Sequence, residues 1–287
     1  MKRVRMLTRA YRRRLTSLVC WLGVAAGAVI MAFPIYWMFA TAVRPHAEIF
    51  ESAARLIPSN FSANNFRAVL THYPVLVWVD NSVIIAVIAV VLTVFINLLC
   101  GYTFAKFRFA GRDILFFATL GALMVPIQVI LVPEFLIVSW LGLLNTHFGV
   151  ILPRAAEAFG IFMVRQFMVA IPDELIEAAR LDGAGELAIF FRIVLPLSKP
   201  IIAVAVIFTF MWRWNDFAWP LVVLTDRDMF TVPLGLNLLR GEINPDWGNV
   251  MALALLSHNP TRRPSAACSP RSACKNMWAR CPRPTIA

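Results

Sequence analysis

Oppositely charged residues stand three positions apart in two otherwise apolar stretches of the chain. Arg154 and Glu157 form one pair, and Arg213 and Asp216 form the other. Residues at this spacing share one face of a helix and can pair with each other. Charged groups inside apolar segments are costly and usually face the interior of a helical bundle. These pairs are therefore the first positions at which to look for binding chemistry.

Aromatic and amide side chains surround the second pair. Trp214, Asn215, Asp216 and Trp219 lie within six residues of one another. The apolar faces of indole rings can stack on the CH faces of a sugar, while amides and carboxylates bind hydroxyl groups, so these four residues are candidates for lining a solute path. The alternative, which the sequence alone favours, is that the polar groups join helices and the tryptophans form an aromatic belt.

Motifs for catalysis are absent from the sequence. It contains no G-x-x-x-x-G-K-[ST] phosphate loop, no H-E-x-x-H and no G-x-S-x-G. The four histidines are scattered, and the spacing of Cys268, Cys274 and Cys281 matches no zinc pattern. We therefore expect no catalytic residues, no metal site and no cofactor in this chain.

The composition is that of a membrane protein. Of 287 residues, 60% are hydrophobic and only 15% are charged, and the mean hydropathy is +0.71. In soluble domains, roughly a quarter of all residues are charged. At about 20 apolar residues for each membrane-spanning helix, the length suffices for five or six spans and leaves no room for a separate soluble domain.

Hydropathy predicts an all-α, polytopic transmembrane helical bundle. Five complete spans are expected, followed by a truncated sixth that begins near Trp247: residues 17–42, 79–104, 114–138, 146–170 and 200–224. The predicted organisation is a basic N-terminus, a transmembrane domain that contains a cytoplasmic loop, and an atypical tail: residues 1–16, 17–256, about 171–199, and 257–287.

The basic residues indicate the orientation of the chain. The formal net charge is +11, and seven of the 27 lysines and arginines lie within residues 2–14, directly before the first apolar run. Such a cluster is typical of a cytoplasmic contact with lipid, and we expect no nucleic-acid binding. With the N-terminus inside, the inner segments hold fourteen basic residues and the outer segments five. The N-terminus and the 171–199 loop are therefore predicted to be cytoplasmic.

The cytoplasmic loop contains a compact polar stretch, "EAARLDGAGELAIFFRIVLP", at residues 177–196. Pro172 and Asp173 favour the start of a helix, and Gly183 stands where a left-handed C-cap requires glycine. A second short helix is predicted after it, and Pro196 separates that helix from the fifth span.

The two short helices are expected to present different surfaces. The first offers a small apolar surface with Leu175, Ala178, Ala179 and Leu181, which suits close contact with a partner. The second is expected to expose three residues near the membrane: Ile189, Phe190 and Phe191. The alternative is a helix that lies at the membrane surface without any partner.

The spacing of this loop resembles the EAA loop of ABC importer permeases. The matching positions are Glu177, Ala178, Ala179, Gly183, Ile193, Leu195 and Pro196. The segments "FGIFMVRQFMVAIPDELIEAARLDGA" and "WRWNDFAWPLVVL" also resemble the carbohydrate-uptake branch, in the six-span subunit similar to the maltose permease partner. The resemblance extends over about residues 17–256.

The resemblance implies the maltose-type permease architecture in a bacterial cytoplasmic (inner) membrane. Its partners would be ATP-binding subunits, a second homologous permease subunit and a periplasmic or extracytoplasmic solute-binding protein, and its solute a sugar or related polyol. The coupling helix would dock into a groove of the ATPase subunit. That role falls on Glu177, Ala178, Ala179, Asp182 and Gly183, with Ile193 in the same motif and with Leu195 and Pro196 at the exit of the loop.

Two points remain open at the level of sequence. A secondary transporter or channel is the alternative function; it would need inverted repeats or a coupling-ion site. The sequence contains no convincing repeat, and this alternative would leave the loop unexplained. From about His258 the chain becomes rich in proline, cysteine and basic residues. Our hypothesis for this change is a frameshift near Leu256.

Overall fold

The computed structural model describes residues 2–45, 48–49, 57–58, 60–241 and 245–257, with side chains from residue 17 onward. Within those ranges the chain forms helices and turns and no strand. The helices in chain order are α1 (Lys2–Ala42), α2 (Asn64–His72), α3 (Val75–Lys106), α4 (Arg112–Met124), α5 (Ile127–Trp140), α6 (His147–Arg154), α7 (Ala158–Val169), α8 (Asp173–Leu181), α9 (Glu186–Leu197), α10 (Lys199–Trp214), α11 (Ala218–Val223), α12 (Val232–Arg240) and α13 (Trp247–Ser257).

Helix α3 is the central helix of the bundle. It is 32 residues long, and its most extensive packing is against α7 and α10. Three buried apolar clusters are present in the described chain, and α3 contributes to each: Trp78 to the first, Ile85 to the second and Leu98 to the third. A displacement of α3 would therefore reach every buried cluster.

Two helices are long and apolar enough to cross a membrane unaided. They are the stretch Ser17–Ala42 of α1 and the whole of α3. The apolar stretch of α1 buries nothing against the rest of the described chain until its last residues, where Ala40 and Ala42 become buried and α1 meets α13. The outward side chains of α1 are thus available to lipid or to another protein.

The third and fourth predicted spans are broken helices. Helices α4 and α5 meet at 105°, and α6 and α7 meet at 48°. Pro126 lies at the first break and is extended. Since proline has no backbone N–H to donate, a helix is commonly interrupted there. Pro133 lies inside α5, which continues through it to Trp140.

The fifth predicted span is also interrupted. Helix α10 ends at Trp214 and α11 begins at Ala218, while α9 meets α10 at 80° around Ser198. The sixth apolar helix, α13, has 11 residues and ends at Ser257. The tail from residue 258, on which the frameshift hypothesis rests, lies outside the described residues.

Candidate functional site

Helix α8 has an inner and an outer face. Asp173 and Glu174 occupy its first turn, where acidic side chains favour the positive end of the helix dipole. Ile176 and Ala179 are buried on the inner face in the same apolar cluster as Tyr102. The hydrophobic effect thus favours burial of this face in the bundle, and the other face of the helix is exposed.

The outer face of α8 is exposed and partly apolar. Leu181 is 89% exposed, and Leu175 is 46% exposed. Glu177, Ala178 and Asp182 are exposed on the same helix or directly after it. The residues of the predicted docking surface therefore fall into two groups. Glu177, Ala178 and Asp182 are exposed, whereas Ala179 faces the bundle.

Gly183 adopts the left-handed conformation, with φ of +81°. The amide of Ala184 donates to the Ala179 carbonyl at 2.9 Å, and the amide of Gly183 donates to the Arg180 carbonyl at 3.0 Å. This pair of bonds is the Schellman motif, which satisfies the last carbonyls of a helix and sets a fixed turn. The geometry at Gly183 agrees with the turn that the sequence predicts.

Helix α9 differs from the prediction in what it exposes. Ile189 and Phe190 are buried, and only Phe191 lies on the surface. The Phe190 ring packs against the Tyr102 ring with centroids 5.4 Å apart. The expectation that Ile189 and Phe190 are exposed is wrong, because α9 turns this apolar face toward α3 and not toward the membrane surface.

The exit of the loop is compact. Ile193 and Leu195 are partly buried against the same cluster as Ile176, while Pro196 is exposed. Ser198 is fully buried at the bend between α9 and α10, where its amide donates to the Val194 carbonyl at 2.9 Å. The loop from α8 to α10 is therefore attached to the bundle at both ends.

Polar contacts that sequence reasoning missed connect α8 to α3. The Lys106 amine lies 2.5 Å from the Ile171 carbonyl oxygen and 2.6 Å from Asp173 Oδ1. Hydrogen bonding and the positive charge of Lys106 hold the pKa of Asp173 below its ordinary value. The sequence contains one signal for this contact. Lys106 is the first charged residue after a long apolar run, and the helix that carries it must end close to the loop.

The charged residues inside the predicted spans pair between helices. Arg213 of α10 pairs with Glu157, and Arg154 of α6 lies 3.8 Å from Glu134 of α5. Arg213 also donates to the Arg154 carbonyl at 2.9 Å. The cluster joins α5, α10 and the break between α6 and α7, so these ion pairs are not the intrahelical pairs that the three-residue spacing allowed.

The four candidate residues of the solute path occupy different environments. Trp214 and Asn215 line a cavity of about 480 Å³ between the end of α10 and helices α12 and α13. Trp219 is 0% exposed, and its indole nitrogen donates to the Gly149 carbonyl at 3.1 Å. Asp216 accepts a hydrogen bond from the Trp219 amide at 3.4 Å. Trp214 and Asn215 thus border a cavity, whereas Trp219 is packed in the interior of the bundle.

Comparison with known proteins gives a consistent result. Residues 94–257, more than half of the chain, match the family model described as "Binding-protein-dependent transport system inner membrane component". The arabinooligosaccharides transport system permease protein AraQ of Halalkalibacterium halodurans is 37% identical over 234 residues, which cover 79% of this chain and 84% of that protein.

Two further relatives and one solved structure agree with that match. The lactose transport system permease protein LacG of Rhizobium radiobacter is 35% identical over 87% of this chain and 91% of its own length. The sn-glycerol-3-phosphate transport system permease protein UgpE of Pectobacterium atrosepticum is 33% identical, with coverage of 82% and 86%. A bacterial ABC transporter involved in alginate import has a similar fold, with a TM-score of 0.74 at 24% identity over 86% of this chain and 92% of its own.

Proposed function

Because the chain belongs to the family of binding-protein-dependent transport system inner membrane components, we propose that it is the permease subunit of an ABC importer for a sugar or related polyol. The relatives support this solute class, since their names refer to arabinooligosaccharides, lactose and sn-glycerol-3-phosphate. Its partners are two ATP-binding subunits, a second permease subunit and an extracytoplasmic solute-binding protein. ATP hydrolysis takes place on the ATP-binding subunits.

The observation that carries this proposal is the exposed outer face of α8 beside the fixed turn at Gly183. A cytoplasmic ATPase subunit receives this face in a groove, where Glu177, Ala178 and Asp182 make contact. Ala179 lies on the opposite face and anchors the helix, since it is buried in the apolar cluster of the bundle. Ile193, Leu195 and Pro196 shape the return of the chain to α10.

In the proposed mechanism, ATP brings the two ATPase subunits together and their grooves carry α8 with them. The rigid turn at Gly183 passes the displacement to α9 and to the bundle. The spans then rock from an inward-open to an outward-open arrangement, in which the binding protein delivers the solute. A turn that could change shape would absorb this displacement.

The proposed topology has five complete spans and a truncated sixth. They correspond to α1, α3, the pairs α4–α5, α6–α7 and α10–α11, and the beginning represented by α13. The N-terminus (residues 1–16) and the loop of residues 171–199 lie in the cytoplasm, residues 17–256 form the transmembrane domain, and residues 257–287 follow as a separate tail. Apolar length supports the first two spans most directly.

The proposed solute path passes beside the end of α10. Trp214 stacks on Phe210 with centroids 5.6 Å apart and also borders the cavity that Asn215 lines. An indole face with an adjacent amide suits a sugar ring and its hydroxyl groups. Asp216 and Trp219 hold the start of α11 and so form the wall behind this path.

Reconstitution tests the proposed function. The full chain is co-expressed with its permease partner and a P-loop ATPase subunit and purified through a tag on the ATPase. We expect the permease to copurify, and proteoliposomes to take up sugar only with ATP and the binding protein. Uptake driven by an ion gradient without ATP, together with no copurification, would instead support a secondary transporter.

Substitution of Gly183 tests the rigid turn. Left-handed backbone costs a residue other than glycine roughly 1–2 kcal/mol, and more when the side chain is β-branched, so we expect Gly183→Val to preserve membrane insertion and to reduce uptake for each ATP hydrolysed. Gly185→Ala is the matched control, since Gly185 has φ of −73° and open space around it. Equal uptake for each ATP in both variants would contradict the role of the turn.

A further inference from the structure

The first attachment of α8 to the bundle is made by a single buried amine. Lys106 is the last residue of α3, and its side chain is only 5% exposed. Its amine bonds to the Ile171 carbonyl at 2.5 Å and to Asp173 Oδ1 at 2.6 Å. These two groups flank Pro172, so one ammonium group fixes both the segment that enters α8 and the first residue of that helix.

A second attachment lies at the other end of α8. Tyr102 stands one helical turn before Lys106 on the same face of α3, and its hydroxyl donates to Glu186 Oε2 at 3.4 Å. Glu186 Oε1 accepts a hydrogen bond from Arg180 Nε at 2.7 Å. Arg180 lies in the last turn of α8 and Glu186 begins α9. Helix α3 is therefore linked to both ends of α8, directly at its start through Lys106 and indirectly at its end through Glu186.

Close packing alone does not set the position of the start of α8. A cavity of about 280 Å³ lies between the end of α3 and α8, and its lining includes Lys106, Asp173, Ile176, Glu177 and Arg180. Apolar contacts are non-directional and tolerate sliding, whereas charge-assisted hydrogen bonds require a defined distance and angle. Next to the cavity, the hydrogen bonds of Lys106 set the distance and orientation of α8 relative to α3.

We propose that Lys106 is a positioning residue for energy coupling, which ties α8 to α3 so that displacement of α8 moves the central helix of the bundle. This inference rests on the proposed function. Helix α3 contributes to all three buried clusters, so a displacement that enters at Lys106 is distributed over the whole bundle. Without this contact, α8 follows the ATPase groove while α3 lags behind, and ATP is hydrolysed without uptake.

The experiment measures ATP hydrolysis and sugar uptake in the same proteoliposomes with the complete complex. Lys106→Met keeps most of the length of the side chain and removes its charge and donors. We expect copurification with the ATPase to be unchanged and uptake for each ATP to fall several-fold, because α8 then moves without α3. Asp173→Asn should lower the same ratio, and the double variant should be no worse than Lys106→Met.

The control pair is Arg112 and Asp113. It is an ion pair of 2.9 Å between adjacent residues of α4, and its acid is 64% exposed, as against 66% for Asp173. Arg112→Met and Asp113→Asn should retain the wild-type ratio of uptake to ATP hydrolysis. Lys106→Arg, which keeps the charge, should recover part of the ratio that Lys106→Met loses.

An unchanged ratio in Lys106→Met overturns the inference. If that variant fails to accumulate, Asp173→Asn decides, because it removes the negative charge that Lys106 binds and leaves Lys106 in place; an unchanged ratio would also overturn the inference. Failure of the wild-type chain to copurify with the ATPase is a separate outcome, which contradicts the proposed function itself.

Discussion

Arg213 and Glu157 bring opposite charges together inside the apolar part of the molecule. The Arg213 side chain is 4% exposed, and its Nε has no hydrogen-bond partner within the described chain. Removing one member of a buried ion pair leaves an uncompensated charge, which is commonly worse than removing both. The ion pair therefore allows both charges to be buried where the end of α10 meets the start of α7.

A double-mutant cycle tests this pairing. We expect Arg213→Met and Glu157→Gln each to lower the free energy of unfolding in detergent by about 3 kcal/mol, and the double variant to cost less than the sum. The measurement is thermal unfolding of the purified chain. Arg240→Met is the control, because Arg240 is exposed at the end of α12. Additive losses would show that the two side chains do not stabilise each other.

Sequence reasoning located these charges but not their partners. The spacing of Arg154 and Glu157 allowed pairing within one helix, and the break between α6 and α7 sends each of them to a different helix instead. Gly183 was predictable because a left-handed C-cap is a local requirement of the chain. A contact such as Lys106 with Asp173 joins residues 67 positions apart and depends on the packing of the whole bundle.

At the scale of the elements, the crossing of α3 and α7 depends on small residues. A Cβ atom added at Gly160 would clash with the side chain of Asn97, which is itself buried. The Asn97 oxygen accepts a hydrogen bond from the Glu157 amide at 3.2 Å, directly before α7 begins. This glycine therefore allows both the close approach of two helices and the polar contact at the start of one of them.

Replacement of this glycine should separate the two helices. Gly160→Ala is expected to lower the free energy of unfolding by about 1–3 kcal/mol, since overpacking forces the backbone or Asn97 to shift. The comparison is Gly121→Ala in α4, where no atom lies within 4 Å and alanine should stabilise the helix by roughly 0.5–1 kcal/mol. Thermal unfolding of both variants in detergent distinguishes them by the direction of the change, and a shift in the same direction would refute the explanation.

The helices themselves were more predictable than their bends. Apolar length indicates α3 within a few residues of its ends, because a 32-residue apolar helix needs no tertiary information. The break at Pro126 divides the third predicted span, residues 114–138, although proline is a local signal that disfavours a continuous helix. The burial of Ile189 and Phe190 could not be read from the loop, because it depends on where Tyr102 of α3 stands.

At the scale of the whole molecule, the proposed orientation places the basic N-terminus and α8 on the same side of the membrane. Arg112 is the first residue of α4 on that side, and Arg227 lies in the turn between α11 and α12 on the other side. The side chain of Arg112 is partly exposed, and that of Arg227 is exposed. The asymmetry of basic residues supports the arrangement, and an independent measurement of sidedness would test it.

Cysteine labelling measures this sidedness in intact cells. In a variant with its five cysteines replaced by serine, Arg227→Cys should react with a membrane-impermeant maleimide, and Arg112→Cys should react only after permeabilisation. Both substitutions should leave accumulation of the protein unchanged. Labelling of Arg112→Cys in sealed cells would reverse the proposed orientation.

The pairing of Glu157 with Arg213 also sets an order of events during synthesis. The two residues are 56 positions apart, and at roughly 5–20 residues per second of chain elongation Glu157 leaves the ribosome about 3–11 s before Arg213. The ion pair cannot form during that interval, because its cation has not yet been made. The contact between the start of α7 and the end of α10 is therefore one of the later contacts of the bundle to form, after α10 has been synthesised.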